Sequence, residues 1–534
     1  MVGCMAAVVM PAVVVPTVSP VLAAGLTPAT SWSRERAGHL LRRAGFGATP
    51  DEIDRVAGLG LHAAVASMVD YERVAQTDPD FQPVSGTDRG RLHRQLTRLP
   101  EDRRREVFDR LRRLDHIQIR EMRAWWIRRM VNTPRPFEEK MTLFWHGHFT
   151  SGHREVRNST MMYRKNQLLR ENALGNFRDI LVAVSQDPAM LRYLNNAQNK
   201  KKAPNENYAR ELLELFTMGE GNYSETDIKQ AARALTGWTL RDGGFQIVPW
   251  MHDYGEKTFL GQTGDFDGYD VIRIILEQPQ TARHLSRRIL TFFVTDDPPD
   301  DLVDDFAEVI RENEYDLRES MRRLFSSEAF YDDRFVLNHI KSPVELVVGT
   351  LRLLETTPRD FDMLETALNE MGQQLFQPPN VKGWPGGHQW INTATLFTRY
   401  NFATDILVGT AGAGGRQAMF RAGRIRDRRR TQLAAELADV EGLVIPDEQI
   451  TSSRQPPFDP TAIIERQHLG NVDRTLNHMI DRFLQTDVSM MQRKRLRSLL
   501  EWPGRRFRPR TDEAKVRVIS LINTLMTMPE YQLN

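Results

Sequence analysis

Cysteine is nearly absent from this 534-residue chain, with Cys4 the single example. A chain that loses its first residues on export would then carry no disulfide, no iron–sulfur cluster, no thiolate nucleophile and no cysteine zinc site. Charge is missing from the first thirty-three residues, and Arg34 is the first charged side chain. The common catalytic signatures are missing too: there is no Gly-x-Ser-x-Gly, P-loop, dinucleotide fingerprint or His-Glu-x-x-His, which disfavours serine hydrolases and nucleotide enzymes. A net charge of +2 argues against a dedicated nucleic-acid binder, so no specific nucleic acid is expected as a partner. Long apolar runs occur only at the start, where Pro11, Pro16 and Pro20 interrupt them, so no transmembrane helix is expected in the mature chain.

What is present is an ordinary globular composition, 40% hydrophobic and 27% charged, on a chain long enough for two or three cooperating lobes. The small, apolar opening from Met1 to Ala24 reads as an export signal, with Val21-Leu22-Ala23 as the small-residue cleavage pattern. Its departure from the pattern is a missing basic start. An exported, periplasmic or extracellular location follows as the expectation. Met-Val-Gly-Cys ends like a lipoprotein box but has no apolar run before it.

Beyond this leader, apolar residues recur at three and four, so the fold class expected is mainly α: a large multi-helix globular fold with a short β-hairpin excursion over Gly243–Leu260. Helices are predicted at, among others, Pro50–Val69, Arg103–Val131, Phe137–Phe144, Asn205–Met218, Ser224–Leu240 and Tyr269–Glu277. The organisation expected is a leader over 1–23, a main helical domain over 24–410, a polar insertion or linker over 411–455 and a C-terminal helical segment over 456–534 that packs on the main domain.

The densest chemistry lies in Asn205–Phe216. On a helix, Glu206, Arg210 and Glu214 share one arc and Asn207 and Glu211 extend it, while Tyr208, Leu212, Leu213, Leu215 and Phe216 take the other side. Glu206–Arg210 and Arg210–Glu214 are i,i+4 pairs, which alone would account for them on an exposed face. The functional reading puts Glu206, Arg210, Glu211 and Glu214 on a cleft as acid, base and orienting groups. Metal ligands would come from elsewhere: His146 and His148, read as an extended His-x-His after Phe144-Trp145, and His252 in a loop, with His153 close behind and Glu139 as a partner for the His146 imidazole. The cofactor such a set would take is a divalent metal. For each histidine a role in the core or in a capped turn competes with that reading.

Three more features can be weighed. Asp265–Asp270 has the start of a calcium loop but Leu276 where the terminal Glu should stand, so helix capping accounts for it better. Lys382, Trp384 and Trp390 sit on a turn-rich segment where flat rings suit sugar stacking, against an ordered loop packed on the core. From Arg89 to Arg129 there are fourteen Arg against six Asp or Glu, which suits either an anionic polymer or a solvated helix face laced with Glu-Arg pairs.

His39–Gly47, Phe144–Phe149, Asn205–Phe216, Tyr223-Ser224-Glu225 through Leu235–Thr239, Pro378–Gly387 and Met528–Leu533 together resemble the bacterial "domain of unknown function 1800" family. The resemblance implies exported bacterial proteins with no agreed reaction, often encoded beside a second family that resembles sulfatases and alkaline phosphatases. Two readings of function result. One is a metal-assisted or carboxylate-dependent hydrolase of an envelope or extracellular polymer. The other is a non-catalytic partner that uses Trp384, Trp390 and the Arg-rich helix to hold a polysaccharide or an exported sulfatase-like protein.

Overall fold

The computed structural model describes residues 26–85, 92, 96–409, 430–438, 440, 443–446, 452–501 and 507–534; the leader over 1–23 and most of 411–455 lie outside them. The described chain is mainly α-helical, with two small antiparallel two-stranded sheets. Local chemistry sets many helix starts. Thr49 accepts from the backbone N–H of Glu52 while Glu52 accepts from that of Thr49, and Pro50 takes the first helical position of Pro50–Ala57. Ser224 with Asp227 builds the same box ahead of Glu225–Ala234, and Asp267 with Asp270 does so ahead of Gly268–Glu277. Of the acidic run at Asp265–Asp270, Asp267 and Asp270 are therefore spent on a helix start, and Asp265 accepts from Lys257 (3.2 Å).

The expected β excursion is two hairpins. β1 (Trp238–Arg241) pairs with β2 (Gly244–Ile247), and β3 (Lys257–Phe259) pairs with β4 (Gln262–Gly264). Each two-residue turn holds both of its residues at positive φ, Asp242 and Gly243 in one, Leu260 and Gly261 in the other, which is the geometry that matches strand twist.

Two apolar cores organise the helices. One gathers Leu40, Phe137, Trp145, Phe177, Leu285, Phe293 and Phe325. The other gathers Trp125, Trp126, Val347, Phe376, Phe402, Met479, Leu521 and Tyr531, so the last helices, Val472–Phe483 and Asp512–Met526, complete it. Helix Pro136–His148 lies between the two, giving Phe137, Met141, Phe144 and Trp145 to the first core and Leu143 to the second. Buried on all sides, its charged groups need partners. Glu139 accepts from Arg129 (2.6 Å), from Arg170 (2.7 and 3.0 Å) and from the Trp126 indole (2.8 Å); Lys140 donates to the Gly45 carbonyl (2.9 Å) and to Glu345. Glu139 thus serves two arginines instead of the His146 imidazole.

The Arg-rich segment is one long helix, Glu101–Asn132, exposed in its first turns and largely buried from Glu121 to Val131. Arg105 and Arg110 pair with acids four residues earlier, while Arg120 and Arg123 reach Asp362 and Glu365 on helix Phe361–Glu370. Among the described residues no helix is long and apolar enough to cross a membrane.

Candidate functional site

The Asn205–Phe216 segment does not continue as one regular helix. Asn205 caps Glu206–Glu211, and the backbone then widens into a π-helix over Leu212–Thr217. The wider turn is held by Thr217, whose hydroxyl donates to the Leu212 carbonyl (2.6 Å), and by the Met218 N–H, which donates to the Leu213 carbonyl (2.8 Å). It leaves carbonyls at its end that need donors. His284 Nε2 meets the Leu215 oxygen at 3.0 Å and His148 Nε2 meets the Phe216 oxygen at 3.0 Å.

This widening divides the four predicted catalytic residues. Arg210 turns to the surface, where it makes two bonds of 2.8 Å to Glu225 and lies 3.6 Å from Glu206, so this pair forms a solvent-facing ion network. Glu211 and Glu214 come together. Burial raises the Glu211 pKa, and the charge of Glu214 adds to the rise against Arg210 and Lys382. Glu214 accepts from the Tyr223 hydroxyl at 3.1 Å and lies 3.9 Å from Lys382 Nζ. Burial, then the charges of Glu155 and Glu211, push the Tyr193 phenol up to about 12. Two of the four residues thus share a partly buried acidic pair, with Lys382 and Tyr223 beside it.

The predicted metal ligands do not converge. His146 and His148 lie on the last turn of a helix that runs to His148, so they point apart instead of lying along an extended strand. His146 Nε2 accepts from the Phe376 N–H (3.1 Å) and packs against Trp126 and Phe376, while His148 holds the π-helix carbonyl. His252 Nδ1 meets the Thr236 carbonyl at 2.9 Å, and its neighbour Asp253 pairs with Arg233. Burial first, then Lys165, lowers His146 to about 3; burial, then Arg288 and His284, keeps His148 well below the ordinary histidine range. Among the described residues no group of three or more His, Cys, Asp or Glu side chains is placed to hold a metal ion.

The aromatic platform is also absent in the form expected. Trp390 is buried, and Trp384 is half-buried with its ring 5.4 Å from that of His146. Gly383 makes this seat: at φ +86°, a Cβ there would lie 2.4 Å from the Gly147 carbonyl oxygen. Of the three residues proposed for substrate, Lys382 alone is exposed.

A different site stands out. A cleft of about 970 Å³ opens between the Arg-rich helix and helix His153–Val156, and Arg112, Arg120, Arg123, Arg154 and Arg157 line it together with Asp115, His116 and His153. His153 Nε2 lies 2.7 Å from Asp115 Oδ2, and the His116 ring lies 5.9 Å from that of His153. The other oxygen of Asp115 accepts from the Ser159 N–H and hydroxyl, both at 2.6 Å. Burial would raise the Asp115 pKa, but His153 and Ser159 outweigh it and hold the carboxyl below its usual range. Sequence reading missed this site because Asp115 and His153 are 38 residues apart and on different helices. The one legible trace is the three- and four-residue spacing that puts Arg112, Asp115, His116, Ile119, Arg120 and Arg123 on one helix face.

Long ordered motifs carried by one mainly α-helical fold define a family, and a family model matches residues 39–533. The chain belongs to the DUF1800 family, described as proteins of unknown function. Nothing among curated proteins or solved structures matches it.

Proposed function

We propose that this is an exported protein that holds a segment of an anionic envelope or extracellular polymer in the arginine-lined cleft, as the binding or assembly partner of another exported enzyme. One observation carries the reading: five arginines, three on the long helix and two on the short His153–Val156 turn and the residue that ends it, line a single cleft of about 970 Å³. Guanidinium groups suit carboxylate, sulfate and phosphate because their planar N–H forks match two oxygens at once. Arg120 and Arg123 are anchored by Asp362 and Glu365, whereas the Arg154 guanidinium makes no bond among the described residues. An acidic polysaccharide is the polymer that fits an exported location, and a sulfatase-like protein is the partner suggested by the family resemblance.

The test is retention of an acidic polysaccharide, such as a polyuronate, against neutral dextran. The wild-type chain should retain the acidic polymer in a salt-sensitive way, and Arg112→Ala with Arg154→Ala should lose most of that retention. Equal retention of both polymers, or variants that bind like wild type, would refute the reading. Export is checked separately by mass spectrometry of the secreted chain, where a mature N-terminus at Met1 would contradict it.

A second reading has its own observation. Glu211, whose pKa is raised by burial and then by the charge of Glu214, is suited to act as an acid in carboxylate-dependent hydrolysis. The histidines named for a metal are engaged with the backbone, so hydrolysis at this pair would run on carboxylates, with Lys382 fixing an anionic group. Glu211→Gln tests it: a hydrolytic activity that survives the change would exclude Glu211 as the acid.

A further inference from the structure

The cleft holds more than charge. His153 is buried, lines the cleft and is fixed at two points: its backbone N–H donates to the Phe376 carbonyl at 2.9 Å, and its Nε2 meets Asp115 at 2.7 Å. Asp115 cannot turn away, because Ser159 occupies its second oxygen with two bonds. A neutral imidazole that donates through Nε2 to a carboxylate presents an unprotonated Nδ1. That nitrogen has no partner among the described residues, and five arginines line the same cleft. Ser159 is an unsuitable nucleophile, since its hydroxyl is shared between Asp115 and Gln118. The nucleophile the site can activate is water.

We propose that this cleft is a phosphodiester hydrolase site, with His153 as general base and Asp115 as the residue that positions it. The proposal rests on the reading that an anion occupies the cleft, and it names that anion's class. A phosphodiester fits because the group that arginines recognise is the group that reacts. Charge gathers on the phosphoryl oxygens in the transition state, so the arginines stabilise that state more than the ground state. In the step, a water oxygen bonds to phosphorus as His153 Nδ1 takes its proton. The bond from phosphorus to one ester oxygen breaks, and the leaving oxygen takes the proton from the imidazolium. The products are a phosphomonoester and an alcohol.

The experiment uses the full chain with bis(p-nitrophenyl) phosphate, and with p-nitrophenyl sulfate as the competing chemistry. Wild type should release p-nitrophenolate from the diester, and His153→Gln should lower kcat by ~100-fold or more with KM little changed. Asp115→Asn should lower kcat at nearly constant KM, with Asp115→Glu restoring part of the rate, whereas Arg154→Ala should act mainly on KM. Circular dichroism identifies variants that fail to fold, and if Asp115→Asn is one of them, His153→Gln decides the matter. Release no faster than in buffer, a folded His153→Gln that keeps the rate, or release from the sulfate alone would each overturn the proposal. Binding of inorganic phosphate, followed by phosphorus NMR on wild type and Arg154→Ala, separates the two ideas. Arginine-dependent phosphate binding without diester hydrolysis overturns the hydrolase while the anion-binding reading stands; absence of both binding and hydrolysis defeats the two together.

Discussion

Mild acid should destabilise this protein through its buried histidines before most of its carboxylates titrate. His39, His146, His148 and His284 are all held below the ordinary histidine pKa of 6.5, first by burial and then by neighbouring cations: Arg42 and Arg43 for His39, Lys165 for His146, Arg288 for His148 and His284. His146 falls to about 3 and His284 to about 4, the latter despite its bond to the Leu215 carbonyl. These rings stay neutral in the native protein while the same residues charge in the unfolded chain. Stability they provide is therefore full above pH 6.5 and is lost as pH falls toward the native values. At about pH 5.5 each costs on the order of 1 kcal/mol, so the four together cost several kcal/mol, a large share of a typical folding free energy of ~5–15 kcal/mol. Asp187 works the other way: burial raises it to about 6, so it takes up a proton in the native state and returns about 1 kcal/mol. Urea unfolding at about pH 7.5 and about pH 5.5 should show a loss of several kcal/mol and an uptake of about three to four protons on unfolding. His148→Gln, if folded, should reduce that uptake by about one. Stability that stays flat or rises over this interval would refute the assignment of neutral, buried rings.

Other changes separate the structural from the surface charges. Glu139→Ala leaves Arg129 and Arg170 buried without their carboxylate and should cost about 3–5 kcal/mol by denaturant unfolding. Because Glu139 is held down to about 2, against the effect of burial, by Arg170 and Arg129, its contribution is present above its ordinary 4.5 and should fade only as pH drops toward 2. Arg210→Ala, which breaks a solvent-facing network with Glu225, should leave the melting temperature unchanged, and a large drop would mean that the network is sequestered. Gly383→Ala forces a Cβ against the Gly147 carbonyl at positive φ and should cost about 1–3 kcal/mol; a variant as stable as wild type would show that this loop has another low-energy seat.

Helix positions were largely legible because their signals are local. Thr49-Pro50-Asp51-Glu52 and Ser224-Glu225-Thr226-Asp227 build capping boxes from side chains three residues apart, which need no tertiary partner. The Glu101–Asn132 helix was legible for the same reason and differs by one or two residues at each end. The site residues were harder. Glu211 and Glu214 fit the expected acidic face, but Glu206 and Arg210 left it because the segment widens into a π-helix whose end carbonyls meet His148 and His284 from other helices. For Trp384 and Trp390 the sequence leaves sugar-stacking rings and an ordered loop packed on the core both open, and the close approach of Gly383 to Gly147 seats Trp384 against the core.

Sequence alone determined the helical class, the family over residues 39–533, the absence of thiol chemistry beyond Cys4 and an arginine-rich helix with acids spaced along it. Each of these follows from composition, long ordered motifs or periods of three and four along the chain. Tertiary structure decided which polar groups meet. It turned His146 and His148 into partners of backbone groups, gave Glu139 to Arg129 and Arg170, and set His153 against Asp115 in a cleft lined with arginines. A buried polar atom must find a partner wherever packing puts it, and that partner is generally distant in sequence, so a histidine's role is fixed by the groups that enclose it.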